Sequence, residues 1–177
     1  RQFQDEYEAA ALRALRSGWY ILGKELESFE QEYAALNESQ YCVGVGCGLD
    51  ALVLAFRALG VGPGDEVLVP ANTFIASVMG VTLNGATPVF VEPDEYYLMD
   101  PERVAAAVTS HTRAILPVHL YGQICDMDPI LEVARRHDLF VVEDCAQAHT
   151  ARYKGRMAGT FGDIGWFSFF RPKNVGA

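Results

Sequence analysis

Two side chains of opposite chemistry stand out in this chain: a lysine close to one end and an acid some way before it. Lysine is scarce, with only Lys24, Lys154 and Lys173 against eleven arginines. Lys173 follows an aromatic run, Trp166-Phe167-Ser168-Phe169-Phe170. A lysine at the mouth of such a run loses part of its hydration, which lowers its pKa and frees the neutral amine to act as a nucleophile. Asp144 closes the run Leu139-Phe140-Val141-Val142-Glu143-Asp144. An acid at the carboxyl end of a buried parallel strand faces the crevice where open α/β sheets bind ligands. An aldehyde cofactor such as pyridoxal 5′-phosphate (PLP) needs both groups. The lysine forms its Schiff base, and the acid keeps the pyridine nitrogen protonated so that the ring can accept electrons. Taken singly, each has a plainer reading: Lys173 as a surface lysine in a loop, Asp144 as the cap of the segment after it.

Other residues suit the same ligand. Gly46-Cys47-Gly48-Leu49-Asp50-Ala51-Leu52 runs through glycines into a helical pattern. Helix N-termini of this kind offer free N–H groups and partial positive charge to a phosphate. No Gly-Lys-Ser/Thr follows, and Ala51 stands where a dinucleotide fingerprint has its third glycine, so neither nucleotide motif is complete. Phe74, after Asn72-Thr73, is placed either to stack on a cofactor ring or to fill the core. Gln147 lies three residues past Asp144, within reach of the same ligand, and Ser168 lies five before Lys173, either a phosphate donor or a plain strand serine. Cys42, Cys47, Cys125 and Cys145 show no metal-ligand spacing. They read as reduced thiols of a cytoplasmic protein with no metal site.

These groups need a scaffold. The 177 residues are 50% hydrophobic and 21% charged, an ordinary globular composition. The net charge of -9 excludes a broad basic face for nucleic acid or an anionic membrane, and no apolar run is long enough to span a bilayer. Apolar spacing predicts amphipathic helices over Asp5–Arg16, ended by Gly18, and over Lys24–Leu36. Between them Trp19-Tyr20-Ile21-Leu22 sits between glycines, an apolar loop expected in the core or in a subunit contact. From Tyr41 onward short apolar runs alternate with helical segments. Strands are expected at Tyr41–Val45, Glu66–Val69, Pro88–Val91, Ala114–Val118, Leu139–Val142 and Ile164–Phe169. Helices are expected at Leu49–Leu59, Thr73–Leu83, Pro101–Val108 (Asp100 as its cap) and Asp128–His137. This alternation predicts an α/β domain with a mostly parallel sheet covered on both faces. The division expected is a helical segment over 1–40 and a domain over 41–177. Arg1 is not an initiator and the chain stops soon after Lys173, so the sequence reads as cut at both ends.

Taken together, GWYILGKELESFE, GLDALVLAFRALGVGPGDEVLVPANTFIAS, GATPVFVEPD, AILPVHLYGQICDMDPI, VVEDCAQAH and GDIGWFSFFRPKN resemble the DegT/DnrJ/EryC1/StrS aminotransferases, PLP enzymes that aminate keto groups on nucleotide-linked sugars. The resemblance runs from about Gly18 to the last residue. It implies part of the large domain of a fold-type I PLP enzyme, with the small domain missing, and a homodimer with active sites at its interface. It implies Lys173 as the Schiff-base lysine and proton shuttle, and Asp144 as the partner of the pyridine nitrogen. Gln147 and Phe74 would flank the ring, and Ser168 with the backbone at Gly48 and Leu49 would hold the phosphate. Asn72, Tyr121 and His149 are weaker candidates near the sugar, each with a structural reading as well. The implied reaction is ping-pong transamination from glutamate. The turn GLDAL resembles the branch that aminates C3 of dTDP-linked 3-keto-6-deoxy sugars, in deoxysugar synthesis for lipopolysaccharide or antibiotics. The alternatives are a UDP-4-keto-sugar 4-aminotransferase, or a regulatory or interaction protein that kept the fold. Sugar dehydratases of the family carry histidine in place of the lysine, and Lys173 argues against them. Leu49 stands where many relatives have threonine, and Arg171-Pro172 where small or hydroxyl residues are commoner.

Overall fold

The computed structural model describes residues 3–170 and 173. Arg1, Arg171 and Pro172, singled out above, lie outside the described residues. The chain divides into two compact units, Arg1–Gly44 and Val45–Ala177.

The first unit holds helices α1 (Gln4–Ser17) and α2 (Lys24–Leu36). Gly18 ends α1 in the left-handed conformation, φ 67°, where a glycine costs nothing sterically. None of the α1 residues is buried, and Ala34 is the buried residue of α2. The apolar loop after α1 does not enter a core: Trp19, Tyr20, Ile21 and Leu22 are between 62% and 78% exposed. Of the two expectations for that loop, core packing is overturned. The Glu30 carboxylate accepts the Gly44 N–H at 2.7 Å.

The expected strand at Tyr41–Val45 is also overturned. This stretch is irregular, and Tyr41 and Val43 stand 77% and 76% exposed. An apolar run becomes a strand only where a neighbour takes its N–H and C=O groups, and among the described residues no strand pairs with it.

The second unit is a three-layer α/β/α structure. In order it contains α3 (Gly48–Ala58), β1 (Glu66–Pro70), α4 (Ile75–Thr82), β2 (Thr87–Val91), α5 (Pro101–Ala107), β3 (Thr112–Ile115), a 3-10 turn Leu120–Gly122, α6 (Met127–His137), β4 (Phe140–Asp144), β5 (Arg152–Tyr153), β6 (Arg156–Met157) and β7 (Ile164–Trp166). Five strands form one sheet in the order β2-β1-β3-β4-β7, every neighbouring pair parallel. The remaining two, β5 and β6, form a separate antiparallel hairpin, which the strand reading had not included. Its turn, Lys154-Gly155, has φ of 51° and 84°, the left-handed pair that tight hairpins favour.

Successive side chains of each strand go to opposite faces of the sheet. Val67, Val69, Ala114, Leu116 and Val142 join Leu52 and Phe56 of α3 and Val81 of α4 on one face. Leu68, Ile115 and Val141 join Val104 of α5 and Ile130 and Val133 of α6 on the other. Both faces are therefore dry, which is why the strands read as continuous apolar runs. Helix starts follow local chemistry: the Asp100 carboxylate accepts the Glu102 N–H at 2.9 Å, and Pro101 needs no partner. Among the described residues no helix is long and apolar enough to cross a membrane.

Candidate active site

The strand order reverses between β1 and β3, and ligands of open α/β sheets bind at such a switch, beyond the strand carboxyl ends. Asp144 is the last residue of β4 and shares the parity of Val142, so it points to the α3–α4 face. It is 5% exposed. Its Oδ1 accepts the Ala146 N–H at 3.1 Å and its Oδ2 accepts the Ser77 hydroxyl of α4 at 3.0 Å. Burial pushes the carboxyl up to about 6, against the opposing pull of the Ala146 N–H, the Ser77 hydroxyl and the charge of Lys173. Lys173, half-buried, thus lies close enough for its charge to act on Asp144 and also on His149. Its own N–H donates to the Phe170 carbonyl at 2.7 Å.

Glu143 has the opposite parity and a different setting. It is fully buried, with Oε2 taking the Gly159 N–H at 2.8 Å and the His119 Nε2 at 3.0 Å. Oε1 takes the N–H groups of Phe161 and Gly162, both at 2.7 Å. The Cys125 N–H points at His119 Nδ1 at 3.3 Å. Burial disfavours an imidazolium here, while Cys125, Cys145 and Glu143 favour one. The amide aimed at Nδ1 leaves that nitrogen no proton to hold, so the ring is neutral with its hydrogen on Nε2. His119, Glu143 and Cys145 crowd together, but the carboxylate and the imidazole are committed to these hydrogen bonds. Burial pushes the Cys145 thiol up to about 12, leaving no thiolate. The group is a structural hub that fastens the 159–162 loop beneath β4.

The helix α3 begins where the glycines suggested, with Cys47 extended before it. A Cβ on Gly48 would fall 2.5 Å from the Trp166 ring, so only glycine lets the first turn of α3 lie against the end of β7. Ser168, buried at 9% exposure, follows two residues later, and the Phe170 N–H donates to its hydroxyl at 3.4 Å. Leu49 is half-buried in the same first turn. Phe74 caps α4 with its ring 71% exposed. The core-filling alternative for it fails, and its face is free.

Gln147 Oε1 accepts the Tyr121 N–H at 2.7 Å, and Asn72 Nδ2 donates to the Tyr97 carbonyl at 2.9 Å. Tyr121 and Tyr97 both have left-handed backbones, φ 58° and 65°, and their rings meet edge to face at 6.4 Å. His149 is buried between Phe167 and Phe169, at ring distances of 5.4 and 5.1 Å. Burial, then the Lys173 charge, lowers its pKa. Sequence reasoning missed Ser77, Thr73 and Tyr97; Thr73 lies just outside α4, before its extended cap Phe74, so no helical spacing joins it to Ser77.

The arrangement suits a flat, phosphorylated aldehyde. A buried acid stands at the end of β4, an amine acts on it from beyond β7, an aromatic face is open, and a helix N-terminus packs against Trp166, two residues before Ser168. The site's own chemistry thus agrees with PLP.

Comparison with known proteins agrees with this geometry. The sequence pattern of the DegT/DnrJ/EryC1/StrS aminotransferase family matches residues 2–177. The chain is 54% identical over 176 residues to the dTDP-3-amino-3,4,6-trideoxy-alpha-D-glucose transaminase of Streptomyces venezuelae, covering 99% of this chain and 46% of that protein. It is 52% identical over 169 residues to the dTDP-3-amino-3,6-dideoxy-alpha-D-galactopyranose transaminase of Aneurinibacillus thermoaerophilus, covering 95% and 47%. The crystal structure of S. venezuelae DesV in complex with a ketimine intermediate is similar at a TM-score of 0.96 and 54% identity, over 99% of this chain and 47% of that one. The chain spans about half the length of the curated relatives it matches.

Proposed function

Because the chain belongs to the DegT/DnrJ/EryC1/StrS aminotransferase family, we propose that the full-length protein is a PLP-dependent sugar aminotransferase. It moves an amino group from glutamate to C3 of a dTDP-linked 3-keto-6-deoxyhexose, and works as a homodimer in the cytoplasm. The part from Val45 onward belongs to the cofactor-binding large domain. The observation that carries this reading is the buried Asp144 with the charge of Lys173 acting on it. The substrate class rests on the two relatives described above, whose names give dTDP-3-amino sugars.

Bound at this site, PLP supplies an aldehyde carbon and an electron-accepting pyridine ring. Asp144 would hold a proton at the ring nitrogen; a carboxylate that is costly to bury bare would be relieved by such a cation. Phe74, exposed at the start of α4, would cover a ring face, and Gln147, tied to Tyr121, would orient the opposite side. Gly48 and Leu49 offer N–H groups, and Ser168 a hydroxyl, to the phosphate. Lys173 would hold the aldehyde carbon through its Nζ, and the same amine would carry a proton to and from the donor's Cα. Asn72, Tyr121 and His149 are the weaker candidates for the sugar side.

The test starts with the full-length protein and PLP. An absorbance band near the visible edge, reducible by borohydride, is expected, and Lys173→Ala should abolish it and lower nitrogen transfer at least about a thousandfold. A reducible adduct that persists in the variant removes the assignment. Product analysis with glutamate and either dTDP-3-keto or UDP-4-keto sugars then separates the two aminotransferase readings. No transfer to any keto sugar nucleotide would favour a regulatory protein.

A further inference from the structure

Two hydroxyls stand behind Asp144 with no role in the chemistry above. Thr73 Oγ1 lies 2.8 Å from Ser77 Oγ, and Ser77 Oγ donates to Asp144 Oδ2 at 3.0 Å. Thr73 stands just before Phe74, the extended cap of α4, and Ser77 lies in the helix's first turn, so the entry of the chain into α4 brings the two hydroxyls together. Ser77 is 1% exposed, and Thr73 is half-buried beside exposed Asn72 and Phe74.

A hydroxyl has one proton to give. While Asp144 is ionised, Oδ2 only accepts, so the Ser77 proton points at it and Thr73 must donate to Ser77. If Asp144 is protonated on Oδ2, the carboxyl can donate to Ser77 Oγ, and the Ser77 proton turns toward Thr73.

We propose that Thr73 and Ser77 form a two-hydroxyl relay whose direction follows the charge on Asp144, holding the carboxylate as an anion in a dry site and carrying that state to the half-buried Thr73. Both are positioning residues that act through Asp144. The consequence for a ring nitrogen rests on the PLP reading; the relay itself does not. The other groups facing Asp144 are the Ala146 N–H, His119 and Lys173, with the neighbouring Cys145 thiol under its field. Substitution at 73 or 77 leaves all of them in place.

The experiment is a 13C-carboxyl NMR titration of Asp144 in the full-length, cofactor-free protein. Ser77→Ala should raise its midpoint by on the order of one pH unit. Thr73→Val should raise it by less, and Thr73→Ser should restore the wild-type value. The double variant should shift no further than Ser77→Ala, because Thr73 has nothing to act on once Ser77 is gone. In the PLP-loaded protein, the 15N resonance of ring-labelled cofactor should move from the pyridinium toward the pyridine position in Ser77→Ala. An unchanged midpoint in folded Thr73→Val, or additive shifts in the double variant, overturns the relay. Should Ser77→Ala not fold, the Thr73→Val and Thr73→Ser pair still decides. Wild-type protein that takes up no PLP would sink the cofactor reading, while the carboxyl titration would still decide the relay.

Discussion

Glu143 and Asp144 are neighbours in the chain and face opposite ways, because a strand turns successive side chains to opposite faces. Glu143 meets three backbone N–H groups and His119 in a fully buried position. Glu143→Gln puts an amide donor against those donors and should destabilise the fold by roughly 3 kcal/mol, read from the denaturant midpoint. Asp144 behaves in the other sense. Its carboxyl rises from 3.8 to about 6 on folding, so the native state holds the proton more tightly than the unfolded chain. Its contribution is most favourable below about pH 4 and is lost as pH rises through about 6, at a cost of roughly 3 kcal/mol above that. Cofactor-free Asp144→Asn should therefore gain stability relative to wild type between pH 4 and pH 7, measured by denaturation at both ends. A difference that stays flat across the range contradicts the burial of a bare carboxylate. The prominence of Asp144 and Lys173 was legible from residue type and position. That Glu143 is a hub was not, because its donors come from residues 159–162, which only the fold brings beneath it.

Elements in this unit are positioned by what is missing from them. A Cβ on Gly165 of β7 would fall 2.4 Å from the Gly159 backbone, where neither chain can give way. Gly165→Ala should cost at least about 2 kcal/mol and lower the melting temperature. Gly48→Ala should push the first turn of α3 off Trp166 and weaken PLP binding about tenfold, ~1.4 kcal/mol, in a fluorescence titration of the full-length protein. Most helices and strands were readable to within two residues from apolar period and caps; Asp100-Pro101 is the plainest case. Ala114–Val118 and Ile164–Phe169 ran long because an apolar residue beyond the last ladder bond looks like one within it. Tyr41–Val45 has the composition of a strand, and composition cannot supply a neighbour.

At the scale of the molecule, the exposed segment Trp19 to Leu22 is the feature most at odds with a free surface, since contiguous apolar side chains on soluble proteins mark contact sites. It gives the proposed homodimer a place to bury apolar area. Ile21→Asp in the full-length protein should shift sedimentation toward the monomer; an unchanged dimer would move the interface elsewhere. The net charge of -9 leaves the binding of an anionic sugar nucleotide to local groups rather than a general field.

From the sequence alone came the α/β class, the parallel sheet and the family, because periodicity, caps and ordered motifs are local properties that survive without coordinates. Tertiary structure alone decided that Glu143 is sealed into the core by the 159–162 backbone and which hydroxyls stand behind Asp144. Those outcomes depend on partners 16 to 67 residues away along the chain. No local pattern records such contacts; packing of both sheet faces creates them.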